Sequence, residues 1–559
     1  MFCYSELFSQ KFSYFFISFK DKPEAQKELL NPKNFLSEKS IKRRAKYNIS
    51  ITEIDAPVSR NYINKLIQYP KIQWMNSSKW LNGVLIKTTD SSIIKELIKE
   101  KFVINYKYLG TVTETMQVQP PAKFKSMAKP VVNTDSFIKP AYNVNKDFYG
   151  VTYPQNNLIN INYLHKLKYY GQGITVAVID AGFFEANKVK GMEKLNFMEL
   201  GVKDFVTNDN SVWEDDRHGA NVLSTMYNLK PGIFVGTAPF AKYHLLRSEN
   251  ASSEFPIEEF NWLAAVEYAD SSGVDIITSS LGYNVFDDTS LSYKQSDLNG
   301  KTSTIAFAAN TAYSKGMMVV VSAGNEGQGK WRKIGTPSDA AGVISVGAVD
   351  ADGNYAEFSS YGPTADGRIK PDLVAMGKRA YVNSTGGAYT GNGTSYSTPI
   401  LSGSIICLMQ ACPNLALDKY KKALIESSTH YLIPDSAYGF GIPDIGLAAV
   451  ILGNYTGIDT SKDLVWEKDD PVFFQQANLH FRSSKSQKIQ IKISGKKKKR
   501  FKTIITLDLK IEKGQWIHNS DIINEYNKQL KKKKRKKFKA MYIELKTESM
   551  NYTREILIK

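Results

Sequence analysis

Five short segments constrain the fold of this chain more than any other feature. GITVAVID (173–180), KYHLLRS (242–248), GVDIITSS (273–280), GMMVVVSAGN (316–325) and GVISVGAVD (342–350) are rich in apolar residues, and three are nearly continuous in them. A strand solvated on one face alternates apolar and polar positions. A strand apolar at successive positions is buried on both faces, as parallel strands are. Helical patterns stand between several of these runs, among them EEFNWLAAVEYADSS (258–272) and TSTIAFAANTAYSKG (302–316). Strands alternating with such helices imply βαβ crossovers, so the expected core is a parallel α/β sheet with helices on both faces.

The rest of the chain reads differently. Residues 1–112 carry a first aromatic strand around Tyr14–Phe19 and amphipathic helical patterns around Ser37–Tyr47 and Ser59–Ile67. Strand-like WLNGVLIKT (80–88) and KFVINYKYLG (101–110) follow, with helical SSIIKELIKE (91–100) between them. Together these predict a small α+β domain. Residues 113–146 hold four prolines and no clear period, and read as a linker. The α/β core is expected over 147–460. Residues 461–559 alternate polar and apolar positions, with one short helical pattern at DIINEYNKQL (521–530), and predict a small β-rich module. There is no internal repeat.

Charge follows the same divisions. The chain of 559 residues has 73 basic and 55 acidic side chains, a net of +18. Residues 1–146 carry +12, residues 147–460 carry −9 and residues 461–559 carry +15. The global figure therefore describes no single part, and it does not mark the core as a nucleic-acid binder. Positive character in the last segment is concentrated in Lys496–Arg500 and Lys531–Lys537, which have no aromatic interleaving. These runs read as solvated basic stretches or as contacts to an anionic surface.

No segment approaches the roughly 20 apolar residues that a membrane-spanning helix needs. The run Tyr14–Phe19 is too short for a secretory h-region and has no small-residue cleavage site behind it. Three cysteines are too few for a disulfide framework. Cys3 lies near the start. Cys407 and Cys412 read as a buried small side chain and a loop thiol, or as a short local disulfide.

Four side chains sit at the ends of the apolar runs, where open α/β sheets place their ligand sites. Asp180 closes GITVAVID, and His218 stands in DDRHGANVLSTM where a helix is expected to begin. Asn325 follows VVVSAG, and Ser395 is delivered by the glycine-rich GNGTSYSTP to the start of an apolar helix with Pro399 in its first turn. Taken singly, each also fits a turn, a cap or a solvated position. Taken together they form one chemical unit. Serine attacks, histidine accepts its proton, aspartate holds the imidazole, and an amide donor stabilises the oxyanion of the tetrahedral intermediate.

These residues carry a resemblance to the subtilisin-like serine peptidases, the subtilases, whose triad runs in the order Asp, His, Ser. Ile179-Asp180-Ala181-Gly182 resembles the Asp box, and His218-Gly219-Ala220 the His box. Ser322-Ala323-Gly324-Asn325 is similar to the oxyanion stretch, and Gly393-Thr394-Ser395-Tyr396-Ser397-Thr398-Pro399 to the nucleophile box. The successive spacings of 38, 107 and 70 residues between Asp180, His218, Asn325 and Ser395 suit that fold. The departures are Ala181 in place of threonine or serine, Asn221 in place of a second histidine, and Tyr396-Ser397 beside the nucleophile.

The resemblance implies a serine endopeptidase acting on proteins or peptides, with Asp180, His218 and Ser395 as triad and Asn325 as oxyanion donor. It implies that substrate adds as a strand along Ser280-Leu281-Gly282. Ser322-Ala323-Gly324 would wall the specificity pocket and Gly335 would line its floor, leaving it open to large apolar side chains, with Glu326 at the rim. It implies that 1–112 is a propeptide, released by cleavage within 113–146, and the +12 against −9 favours its association with the core. No organic cofactor is implied. Structural calcium is common in the family, but no spaced carboxylate cluster here marks a site. A monomer, secreted or in the cell envelope, is expected. The competing reading is a non-catalytic protein-binding pseudoprotease on the same fold.

Overall fold

A computed structural model describes residues 8–116, 142–193, 201–431 and 433–456, and beyond them the strands 481–482, 487–497, 500–511, 516–517, 540–546 and 551–557. Most of the proline-bearing linker, the helical pattern at 521–530, the basic run Lys531–Lys537 and Cys3 lie outside the described residues.

The core is a seven-stranded sheet, parallel throughout, as the unbroken apolar runs predict. Its order is Leu373–Met376, Val343–Val349, Met318–Ser322, Ile276–Ser279, Thr175–Asp180, Lys242–Arg247 and Val202–Asp204. Successive side chains leave opposite faces. Val176, Val178, Met318 and Val320 join one apolar cluster, and Ala177, Ile179, Val319 and Val321 the other. Helices His218–Tyr227 and Thr394–Ala411 cover the first face, and Ile257–Ser272 and Thr304–Ser314 the second. Both faces of the central strands are buried, whereas Lys242–Arg247 and Val202–Asp204, toward one edge, retain exposed or half-buried polar positions.

Two short edge strands, Leu373–Met376 and Val202–Asp204, escape sequence reading because they offer too few residues for a period. Cys407 and Cys412 are both free and buried, so no local disulfide forms; Cys407 lies within helix Thr394–Ala411 and Cys412 just beyond it. Cys412 caps its helix, with its Sγ directed at the Ala449 carbonyl.

The N-terminal domain is a four-stranded antiparallel sheet in the order Ile72–Ser78, Gly83–Thr88, Phe8–Phe19, Val103–Met116. Its last strand runs four residues into the stretch expected as linker, because Phe8–Lys11 pair with Thr113–Met116. A helix, Glu38–Lys46, is capped by the Ser37 side chain. The aromatic first strand is buried on both sides. Phe15, Ile17 and Phe19 pack inside the domain, whereas Phe12, Tyr14 and Phe16 join Ile257 and Phe260 in the core's second cluster. Burying a large apolar side chain contributes roughly 1.5–3 kcal/mol, so this sheet face alone makes docking substantial.

Near the chain's end, Arg500–Ile511, Gln487–Lys497, Ala540–Lys546 and Asn551–Leu557 form an antiparallel sheet in that order. Of the basic run Lys496–Arg500, the described Lys496, Lys497 and Arg500 lie at the ends of the first two paired strands, where Lys497 pairs with Arg500.

Candidate active site

The four sequence-predicted side chains all lie near the C-terminal ends of the parallel strands. Asp180 is the last residue of its strand and fully buried. Its Oδ1 accepts from His218 Nδ1 at 2.7 Å and from the Ala181 N–H at 2.9 Å. His218 opens its helix, and its own N–H donates to Asp216 Oδ1 at 2.6 Å. The imidazole is 31% exposed while Asp180 is enclosed, so only the Nε2 edge can face the cleft. Because Nδ1 donates to the carboxylate, Nε2 is the basic nitrogen of the neutral ring.

Burial disfavours the imidazolium, but the Asp180 carboxylate, together with Glu249 and Asp216, more than offsets it and raises His218 to about 9. Glu249 itself is pushed up to about 7, by burial first and by the nearby Asp180 charge second. Sequence reading did not single out Glu249.

Ser395 lies in the first turn of helix Thr394–Ala411, whose leading N–H groups have no partner within the helix. Its Oγ donates to the Ser280 carbonyl at 3.4 Å, and among the described residues no hydrogen bond joins it to His218. Pro399 sits in the second turn, not the first, because the helix already begins at Thr394. Lacking an N–H, Pro399 leaves the Ser395 carbonyl without its helical donor. The Ser280 hydroxyl takes that place at 2.9 Å. The nucleophile loop and the segment Ser280-Leu281-Gly282 are thereby tied in both directions.

Asn325 is oriented by its acceptor end. Its Oδ1 receives the Thr394 N–H at 2.9 Å and the Thr394 hydroxyl at 3.0 Å. Two donors facing that atom fix it as oxygen, which turns the amide Nδ2 the other way. A methyl group at Gly393 would stand 3.6 Å from Ser395 N and 3.7 Å from Asn325 Nδ2. Both N–H donors therefore border one small space beside the Ser395 side chain.

The expected pocket segments also meet. Gly335 N donates to the Ala323 carbonyl at 3.3 Å. Tyr283 and Thr336 exchange two backbone bonds, at 2.8 and 3.0 Å, which bring Ser280-Leu281-Gly282 alongside Gly335. Gly324 has φ of +104°, and a Cβ there would stand 2.9 Å from Ser360 Oγ, so this wall position requires glycine. Gly282 is exposed at the edge. Ser322 is buried at the end of its strand, and Glu326 is exposed beyond Asn325.

The departures from the resembled boxes are mutually accommodated. Asn221 accepts from the Tyr389 hydroxyl at 2.8 Å and also bonds the Tyr396 side chain. Tyr396 lies beside the imidazole, with ring centroids 6.4 Å apart and the planes tilted by 31°. The Ser397 hydroxyl is satisfied by the Thr394 carbonyl at 3.0 Å. Arg247 was also missed. It closes the neighbouring strand beside Asp180, donates to the Ala181 carbonyl at 3.0 Å, and binds Asp204 at 2.7 Å and Asp215 at 3.1 Å. A charged residue ending an apolar run was its only sequence signal, the same signal that Asp180 gave.

Among the described residues no group of three or more His, Cys, Asp or Glu side chains is arranged to hold a metal ion. No helix among them is long and apolar enough to cross a membrane.

Comparison with known proteins gives the following matches. The family model described as the Subtilase family matches residues 171–441, and the Peptidase S8 propeptide domain of Bacteroidota matches residues 14–125. Subtilisin DY of Bacillus licheniformis is 28% identical over 296 residues, covering 52% of this chain and 96% of the relative. Subtilisin E of Bacillus subtilis (strain 168) is 29% identical over 293 residues, covering 51% of this chain and 68% of the relative. A crystal structure of MycP1 from the ESX-1 type VII secretion system aligns with a TM-score of 0.43 and 21% identity, over 59% of this chain and 90% of that one.

Proposed function

The chain belongs to the subtilase family and carries that family's propeptide domain, and from this premise we propose that it is a serine endopeptidase made as a zymogen. The observation that carries the reading is the 2.7 Å bond between Asp180 and His218, set beside Ser395 and two N–H donors. Asp180 holds the tautomer in which Nε2 is free, and Nε2 accepts the Ser395 proton as Oγ attacks the peptide carbonyl. The oxyanion forms against Ser395 N–H and Asn325 Nδ2. His218 then protonates the leaving amine, and water repeats the cycle on the acyl-enzyme. The long Ser395–Ser280 contact is weak enough to be given up as substrate enters, since catalytic bonds commonly tighten only in the complex.

Peptide or protein substrate adds as a strand along Ser280-Leu281-Gly282, with its specificity side chain between Ser322–Gly324 and Gly335. Profiling a peptide library tests this pocket, which is expected to favour large apolar residues. No organic cofactor enters the mechanism. The propeptide is released by cleavage between 113 and 146 and inhibits until then; active protein still beginning at residue 1 or 2 overturns that. The mature enzyme is a monomer acting outside the cytoplasm. The lysine-rich C-terminal runs contact an anionic surface, which salt-sensitive retention on heparin tests.

The central test is an active-site-directed fluorophosphonate. One equivalent is expected to label Ser395, with no labelling of Ser395→Ala; a protein that stays unlabelled after maturation is a pseudoprotease. Asn325→Ala is expected to lower kcat by about 10²–10³, with KM nearly unchanged. A KM effect alone would remove Asn325 from the oxyanion site.

The pH profile follows from the sign of the His218 shift. Below its folded value of about 9 the imidazole is charged and cannot act as base. Activity should therefore rise with pH through the alkaline range toward about 9. A plateau already complete at pH 6 would show that Asp180 and Glu249 do not hold the proton as inferred.

A further inference from the structure

Asp180 is held by few bonds for so enclosed a carboxylate. Its Oδ1 takes both the His218 Nδ1–H and the Ala181 N–H, and among the described residues its buried Oδ2 has no hydrogen-bond partner. Apart from the imidazole it serves, one backbone N–H at 2.9 Å orients this side chain. The position of Ala181 therefore decides where the carboxylate points.

Ala181 is fixed from its other side by Arg247. Asp180, Arg247 and Asp204 end three adjacent strands, with Arg247 in register with both carboxylates. The Arg247 side chain is 8% exposed. Its Nε donates to the Ala181 carbonyl at 3.0 Å, and its Nη1 meets Asp204 Oδ2 at 2.7 Å and Asp215 Oδ1 at 3.1 Å. Asp204 is a firm anchor, because it also accepts the N–H groups of Val206 and Thr207 and the Thr207 hydroxyl. Asp215 belongs to the loop that leads into His218, and its neighbour Asp216 accepts the His218 N–H.

The segment after Asp180 and the segment before His218 run against each other. The N–H groups of Phe183, Phe184 and Glu185 donate to the carbonyls of Val212, Asp216 and Trp213 at 2.8, 3.0 and 3.1 Å. A Cβ on Gly182 would stand 2.6 Å from Asp216 N and 2.7 Å from Asp215 Cβ, so the approach leaves no room for a side chain. Arg247 joins the two segments at Ala181, the end adjoining Asp180. Neutralising Asp204 and Asp215 requires no bond to an uncharged carbonyl. The Nε bond does something further, since it reaches the residue whose N–H orients the carboxylate.

We propose that Arg247 is a positioning residue for proton transfer at His218. By holding Ala181 against Asp215, it keeps Asp180 aligned on Nδ1 and Nε2 directed at Ser395. It touches neither substrate nor reacting atoms. The inference rests on the peptidase reading above and deepens it. The charged groups facing the imidazole are Asp180, Glu249 and Asp216, all acidic. Removing the Arg247 cation would by itself favour the imidazolium and move the acid limb of the pH profile upward. Loosening the Asp180 bond withdraws what holds the proton and moves that limb downward. The two effects have opposite signs.

The test compares matured wild-type enzyme with Arg247→Met and Arg247→Lys, with turnover expressed per fluorophosphonate-labelled site so that misfolded molecules do not count. For Arg247→Met, kcat is expected to fall about 10- to 100-fold with KM within about twofold, as misplacement of a catalytic group does. The acid limb of kcat/KM, which reports the free enzyme, should move down by at least about half a pH unit. Arg247→Lys keeps the charge but cannot span the carbonyl and both carboxylates. It should show the same direction of shift with kcat lowered about threefold, and it carries the test if the methionine variant does not fold. An upward shift would make Arg247 an electrostatic group and overturn the positioning role. A lower melting temperature with kcat and the acid limb unchanged would make it structural only, and overturns the role as well. Wild-type protein that takes up no fluorophosphonate refutes the peptidase reading and this inference with it, whereas labelled wild type with unaltered variants refutes this inference alone.

Discussion

Ser395→Ala is expected to lower peptide hydrolysis on the order of 10⁶-fold while leaving the fold intact. The side chain is small, it packs in the first turn of a long buried helix, and its only side-chain bond is the 3.4 Å contact to Ser280. Losing that contact should shift the melting temperature little. The reciprocal bond, from the Ser280 hydroxyl to the Ser395 carbonyl, survives the substitution. If the same active site makes the cut within 113–146, the variant should also accumulate with its N-terminal domain still attached. Denaturing electrophoresis and a peptide assay read both outcomes. Normal turnover in Ser395→Ala would remove the proposed nucleophile. Normal processing with no turnover would assign maturation to another protease.

The second large effect concerns the contact between the N-terminal domain and the core. Asp270, buried near the end of helix Ile257–Ser272, accepts from Arg43 at 2.5 Å, Arg44 at 2.8 Å and Lys79 at 3.1 Å. Arg44 also binds Asp55 at 3.0 Å, which in turn holds Lys315 of the core at 2.9 Å. Nearby, the buried Glu267 accepts from the Ser78 hydroxyl at 2.5 Å and from the N–H groups of Lys79 and Trp80. Removing one partner of a buried ion pair costs about 3–5 kcal/mol, because the other charges stay buried and uncompensated. Asp270→Asn is therefore expected to weaken binding of the cleaved N-terminal domain by about 10²–10³. The lag before activity appears should shorten accordingly. Stability of the mature enzyme should change little, since Asp270 there has solvent in place of the arginines. An unchanged lag, or equal destabilisation before and after maturation, would show that the network does not govern release. This network also revises the charge argument. Association is carried by an apolar sheet face and a few enclosed ion pairs, and the difference between +12 and −9 supplies only long-range attraction.

Legibility differed from residue to residue for physical reasons. Asp180 and Asn325 were visible because a polar side chain after an uninterrupted apolar strand has few structural explanations. Ser395 was visible because glycines on one side and an apolar helix on the other leave it little freedom. Arg247 gave the same signal as Asp180 and was passed over, since nothing along the chain places Ala181, Asp204 and Asp215 around it. The first strand's aromatics were legible as a strand, but not the division that turns Phe15, Ile17 and Phe19 inward and Phe12, Tyr14 and Phe16 onto the core. That division depends on a partner surface about 250 residues away in sequence.

What the sequence determined by itself was local: hydrophobic period, strand ends and the chemistry of the residues placed there. These depend on neighbours a few positions apart, so they can be read along the chain. Tertiary structure alone decided which distant groups meet, among them Ser280 with the Ser395 carbonyl, Asn221 with Tyr389 and Tyr396, and Asp270 with two arginines. Hydrogen bonding and burial act across a few ångströms of space, and spacing along the chain does not encode that distance.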